Sequence, residues 1–187
     1  MTLPNILSLS RILLIPFFLW AMTARRPLAA LLVFSAAAAT DFLDGLAARL
    51  LKQRSRLGLY LDPAADKLLM TAAFIVCTLP GVSRPNALPL ALTVIVVSRD
   101  AAILLGAWVL YRLAAVKMFI PSLWGKLSTI CQMACLFLVL LFNALGWKPG
   151  PPLAAVYLLT LAATLVSAGH YFWKGFLGEM ARRKRPA

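Results

Sequence analysis

Four aspartates, Asp41, Asp44, Asp62 and Asp66, fall within the single stretch DFLDGLAARLLKQRSRLGLYLDPAAD, although the 187-residue chain holds only six acidic residues against nineteen Lys and Arg. Carboxylates gathered this way repel one another unless positive charge holds them, and the simplest source is a pair of divalent cations. With oxygen ligands only, and no His or Cys beside them, the set suits hard cations such as Mg²⁺ or Mn²⁺ better than zinc. Mg²⁺ usually shares its shell among a few carboxylates, waters and substrate phosphates, so a phosphate-bearing substrate is implied. The intervening residues fit one. Gly45 has no side chain to bar close approach, Ala48 is nearly as small, and Arg49 stands two turns beyond Asp41 on roughly the same helical face. Gly58 supplies a turn or a second close approach. Ordinary salt bridges of Asp41 and Asp44 to Arg49 or Lys52, and of Asp62 and Asp66 to Lys67, leave both the small residues and the choice of Asp over Glu unexplained.

The elements that must position these groups follow from hydropathy. The chain is 62% hydrophobic, and apolar runs of bilayer-spanning length recur along it, more than a chain of this size can bury in a core of its own. Runs bounded by Pro, Gly and charge predict an all-α integral membrane protein, a bundle of about six spans near 5–23, 28–50, 67–80, 87–111, 123–145 and 152–173. No repeat or linker divides it, so residues 1–187 read as one domain. Asp41 and Asp44, three apart, share a face near the end of the second span; Asp62 and Asp66, four apart, do the same entering the third.

Charge sets the orientation. Arg49, Lys52, Arg54, Arg56, Lys67, Arg112, Lys117, Lys126, Lys174, Arg182, Arg183, Lys184 and Arg185 fall on the N-terminal side, against Arg25, Arg26, Arg84 and Lys148 opposite. Thirteen against four puts both termini and the aspartates on the cytoplasmic side of the cell membrane. The basic residues sit at the ends of apolar segments rather than on a polar face, so the net charge of +13 suits anionic membrane lipids and not nucleic acid. The N-terminal run reads as a retained first helix with Arg11 snorkelling to the headgroups, facing lipid or touching substrate. Cys77, Cys131 and Cys135 read as small core residues, and the lone His170 as structural.

The acidic stretch matches, at every fixed position, D-x-x-D-G-x-x-A-R, eight residues, then G-x-x-x-D-x-x-x-D, and so resembles the CDP-alcohol phosphatidyltransferase family. Eight specified residues arise by chance with odds on the order of 10⁻¹⁰ per starting point. The resemblance implies transfer of a phosphatidyl group from CDP-diacylglycerol to an alcohol hydroxyl, with release of CMP and a homodimeric assembly. It also implies that Asp41, Asp44, Asp62 and Asp66 hold two divalent cations, that Asp66 is the general base, and that Gly45, Ala48, Arg49 and Gly58 line the CDP site. A reading of a different class, a small cation transporter, gives the small residues and Arg49 no purpose.

The acceptor is written elsewhere. PNILSLSRILLIPFF, DPAADK and WGKLST are similar to both phosphatidylglycerophosphate synthases and CMP-forming cardiolipin synthases, so the acceptor is glycerol 3-phosphate or phosphatidylglycerol. VVSRDAAILLGAW and SAGHYFWKG resemble the cardiolipin synthases more; the other group tends to show Arg-Glu there and a further arginine where this chain has Ala107. A missing cation matters more to a phosphate dianion than to a phosphodiester. Arg99 either pairs with Asp100 or reaches an acceptor phosphate, and Lys126, beside Gly125 and Ser128, is either a second contact or a solvated helix end.

Overall fold

Each apolar run becomes a helix in the computed structural model, which describes residues 3–50, 58–114 and 123–173, with their side chains over 9–40, 65–106 and 123–173. The six helices among the described residues are α1 (Leu3–Thr23), α2 (Pro27–Leu50), α3 (Gly58–Thr78), α4 (Leu90–Ala114), α5 (Leu123–Leu145) and α6 (Pro151–Phe172), and no strand occurs there. Three boundaries differ from expectation by three residues or more, the end of the fourth helix at Ala114 rather than 111 among them. The third helix begins at Gly58 rather than 67, because backbone hydrogen bonding continues through the polar residues at which an apolar run stops; both Asp62 and Asp66 therefore ride on α3. The fourth begins at Leu90 and not at 87. Pro89 disfavours helical geometry at Leu88, whose N–H is instead bonded to the Cys77 carbonyl at 2.9 Å. α5 and α6 are both long and apolar enough to cross a membrane; the apolar parts of α1 and α2, Leu9–Thr23 and Pro27–Thr40, are shorter.

The chain divides into two compact units, one of Met1–Leu88 with Leu136–Gly150 and the other of Pro89–Cys135 with Pro151–Ala187. In the first, α1 packs against α2 and α3. Phe18 and Phe34 meet with ring centroids 6.1 Å apart, while buried Ala21, Ala30, Ala37, Ala65 and Ala73 have no bulk to hold the helices apart. Arg11 is only 1% exposed, so it neither snorkels nor faces lipid as the sequence suggested. Its place on α1, the helix against which both others pack, encloses it. The α1 end closes with Arg25 in the left-handed region (φ 54°), the Arg26 N–H bonded to the Ala21 carbonyl at 2.9 Å and the Arg25 N–H to Met22 at 3.1 Å.

A polar knot joins the loop after α3 to the end of α5. The Asn143 Oδ1 accepts from the Asn86 backbone N–H (2.7 Å) and its Nδ2 (3.0 Å), while the Asn143 Nδ2 donates to Ser83 Oγ and to the Asn86 carbonyl, both at 2.9 Å. Asn86 Nδ2 also donates to the Trp147 carbonyl at 2.8 Å. These groups are buried, so losing one partner exposes the others to the full cost of an unmade bond. Replacing Asn143 with Ala should cost about 2–3 kcal/mol in an equilibrium unfolding titration in mixed micelles. Replacing the exposed Thr23, whose hydroxyl only back-bonds to Leu19 and Trp20, should cost under about 0.5 kcal/mol.

Candidate active site

α2 carries Asp41 and Asp44 one turn apart, with Gly45 and Ala48 following at helical spacing and Arg49 next to its end at Leu50. α3 starts at Gly58 and carries Asp62 and Asp66 one turn apart. Only residues 51–57 separate the two helices, so the end of α2 and the start of α3 lie within the reach of seven residues, about 28 Å at most. Both acidic pairs belong to the first unit. Of the site residues named for this motif, Asp66 alone falls among the described side chains, and it is half-buried, next to fully buried Ala65. The side chains of Asp41, Asp44, Gly45, Ala48, Arg49, Gly58 and Asp62 lie outside them, and among those described no cluster of three potential metal ligands occurs. Carboxylate oxygens carried by two successive helices, with Asp66 half-buried, are donors of the kind that suits a hard divalent cation.

The second unit resolves what Arg99 does. On α4, Arg99 and Asp100 are 7% and 6% exposed, and the Arg99 Nη1 donates to the Asp100 Oδ1 at 2.6 Å. Its Nη2 donates to the Ser167 hydroxyl on α6, and its guanidinium stands 5.7 Å from the Tyr171 ring centroid. The charge is thus neutralised, hydrogen-bonded and stacked where α4 packs on α6. Of the two roles the sequence left open, the buried pair is present. Lys126 takes no part in it, lying exposed at the start of α5, while Ser128 turns inward to Gln132 (3.2 Å) and Thr164 (3.3 Å). His170 is half-buried in the last turn of α6. Ala107 lies on α4, its side chain outside those described.

Sequence reasoning missed Ser167 and Tyr171. They are one turn apart on α6 but 68 and 72 positions from Arg99, and only the packing of α4 on α6 brings them to it. The one available signal was a Ser and an aromatic at helical spacing inside an apolar run.

The profile of the CDP-alcohol phosphatidyltransferase family matches residues 1–168, and this chain belongs to that family. A relative from Streptomyces coelicolor named cardiolipin synthase (CMP-forming) is 36% identical over 183 residues, covering 95% of this chain and 80% of the relative. One from Haemophilus influenzae named CDP-diacylglycerol–glycerol-3-phosphate 3-phosphatidyltransferase is 34% identical, covering 87% of this chain and 86% of the relative. One of the same name from Aquifex aeolicus is 32% identical, covering 94% and 97%. Membership decides for phosphatidyl transfer over cation transport.

Removing one partner of a buried ion pair strands the other charge. Asp100→Asn should therefore lower stability by about 3–5 kcal/mol, whereas Ser167→Ala, which removes one bond from a guanidinium that keeps its counter-charge, should cost about 1–2 kcal/mol. Unfolding titrations of the two purified variants provide the comparison.

Proposed function

We propose that this chain is a six-span enzyme of the cell membrane, a single domain over residues 1–187 with its site at the cytoplasmic face. It transfers the phosphatidyl group of CDP-diacylglycerol to the hydroxyl of phosphatidylglycerol, forming cardiolipin and releasing CMP. The observation that carries the transfer is the complete acidic motif on α2 and α3 in a chain matched by the family profile over 1–168. Membrane residence is supported by an inside-out distribution. Arg11, Asn86, Arg99, Asp100, Gln132 and Asn143 are buried, while Leu13, Phe17, Leu32, Leu105, Ile130 and Leu158 are exposed. In water that arrangement is costly on both counts; in a bilayer it is required.

In this mechanism the acceptor hydroxyl oxygen bonds to the phosphorus of the phosphatidyl group, the bond from that phosphorus to the bridging oxygen of CMP breaks, and CMP leaves with the electron pair. Two divalent cations, Mg²⁺ or Mn²⁺, held by Asp41, Asp44, Asp62 and Asp66, supply neutralisation of the pyrophosphate charge when bound. Asp66 takes the proton from the attacking hydroxyl, a role compatible with its half-buried place two turns into α3. Gly45 and Ala48 admit the nucleotide close to α2, Arg49 pairs with its phosphate, and Gly58 admits it at the start of α3. Direct attack needs no covalent intermediate, and Cys77 and Cys135 are buried.

The state of Arg99 favours phosphatidylglycerol. A cation whose charge is already paired with Asp100 has less to offer a phosphate dianion, and a phosphodiester, with one charge fewer, asks less of it. Glycerol 3-phosphate is the second reading, favoured by the names of the Haemophilus and Aquifex relatives. Purified protein given CDP-diacylglycerol, Mg²⁺ and both acceptors together should form cardiolipin; formation of phosphatidylglycerophosphate instead would select the second reading. Asp66→Asn should lower the rate of CMP release by roughly 10²–10⁴-fold while the variant folds normally. Chelation should stop release and Mn²⁺ restore it; full activity with chelator present would remove the cations from the mechanism.

A further inference from the structure

At the opposite end of the first unit from the aspartates, the α1–α2 turn, the loop after α3 and the end of α5 border a partly open cavity of about 130 Å³, with its arginines exposed. Arg25, Arg26 and Arg84 line it together with Ser83 and Asn143, and no carboxylate does. It lies beside Pro27, so about 20–25 Å of α2 separates it from Asp41 and Asp44. We propose that this cavity binds a phosphate group.

Three guanidinium groups around so small a space repel one another as the aspartates do, with the sign reversed. The chain nevertheless holds them there. Arg25 keeps a left-handed backbone (φ 54°) that non-glycine residues rarely adopt, locked by the two bonds that close α1. Arg26 is held over the Trp20 ring at 5.3 Å. Among the described residues Arg84 donates its Nε alone, to the Pro80 carbonyl at 3.0 Å, which leaves the terminal nitrogens for an anion. Two of its lining residues, Ser83 and Asn143, belong to the buried hydrogen-bonded knot with Asn86, which fixes the polar part of the wall. Its volume is below the roughly 300–1,000 Å³ of sites for drug-sized ligands and suits a single tetrahedral anion, which arginine forks match in geometry. Trp20 and Trp147 are exposed at the same end, as aromatic residues are at headgroup depth, so an anionic lipid can bring its phosphate there; a free phosphate offers the same chemistry. The phosphate site stands without the transfer reaction, and only the lipid source rests on membrane residence.

The test uses the full chain in neutral detergent with chelator present, so that cation-held phosphate at the aspartates does not contribute. The thermal midpoint is followed with short-chain phosphatidylglycerol, with inorganic phosphate, and with chloride at matched ionic strength. At ten times its dissociation constant the effective ligand should raise the midpoint by about 3 °C over chloride. Arg26→Gln and Arg84→Gln should each weaken binding about tenfold, and Arg84→Lys less. A response to the lipid alone identifies a headgroup site, and a response to inorganic phosphate as well identifies a site for the free anion. No shift beyond chloride, or shifts unchanged in Arg26→Gln and Arg84→Lys, would overturn the proposal. Those two variants carry the test should Arg84→Gln fail to fold.

Discussion

A charge in apolar surroundings must find its counter-charge within the protein, and most of what distinguishes this chain is an answer to that demand. Arg99 and Asp100 answer it as neighbours on one helix, bonded at 2.6 Å, with Ser167 accepting from Nη2, Tyr171 beside the guanidinium and Nε left without a partner among the described residues. Without that pair α4 would carry a naked cation into the packing against α6. The uncharged polar groups follow the same rule less strictly. Ser128, Gln132, Thr160 and Thr164 bond among themselves and to backbone carbonyls where α5 and α6 meet in the second unit. Each such bond replaces one that water would otherwise supply.

The aspartates concentrate charge of one sign in a short stretch of two successive helices. Asp41 and Asp44 on α2 and Asp62 and Asp66 on α3 lie at the joined ends of two helices that both lean on α1. On the proposed function that surplus of negative charge is what would draw divalent cations, and through them a pyrophosphate. The three arginines at the other end of α2 present the reverse surplus. Helix α2 thus runs between an acidic end and a basic end, both built on the same scaffold.

Much of this was legible in the residues because it is local. Helical spacing put each aspartate pair on one face, Gly45 and Ala48 marked the close approach, and apolar runs gave the six helices to within a few residues except at α3 and α4. The exceptions are instructive. At α3 the apolar rule stopped at Lys67, where hydropathy changes but hydrogen bonding does not; at α4, Pro89 overrode the run of apolar residues before it. Arg11 was misjudged because its sequence neighbours are apolar whichever way it points, and only the packing of α2 and α3 around α1 shows it enclosed. Asn86 and Asn143, 57 positions apart, have no local pattern that announces them as partners. What sequence reading lacks is the tertiary neighbour, and polar residues are where that lack is felt, since an apolar residue is content with any apolar contact.

The same distinction explains why the donor half of the reaction is easier to read than the acceptor half. CDP brings a pyrophosphate, and a pyrophosphate requires concentrated charge, close backbone approach and an oxygen-rich cation site, all of which leave marks in a short stretch of chain. An acceptor hydroxyl requires little more than a base and room. What separates one glycerol-type acceptor from another is the second phosphate it carries, a dianion in one case and a diester in the other, and hence whether a spare cation stands nearby. The cation that the sequence offered for that task is Arg99, whose Nη1, Nη2 and face are engaged by Asp100, Ser167 and Tyr171. Releasing it toward a dianion would leave Asp100 buried beside a vacated partner, at a cost that a singly charged diester does not impose. The proposed acceptor rests on that cost, since a charge already committed to a buried ion pair is not free to hold a second phosphate.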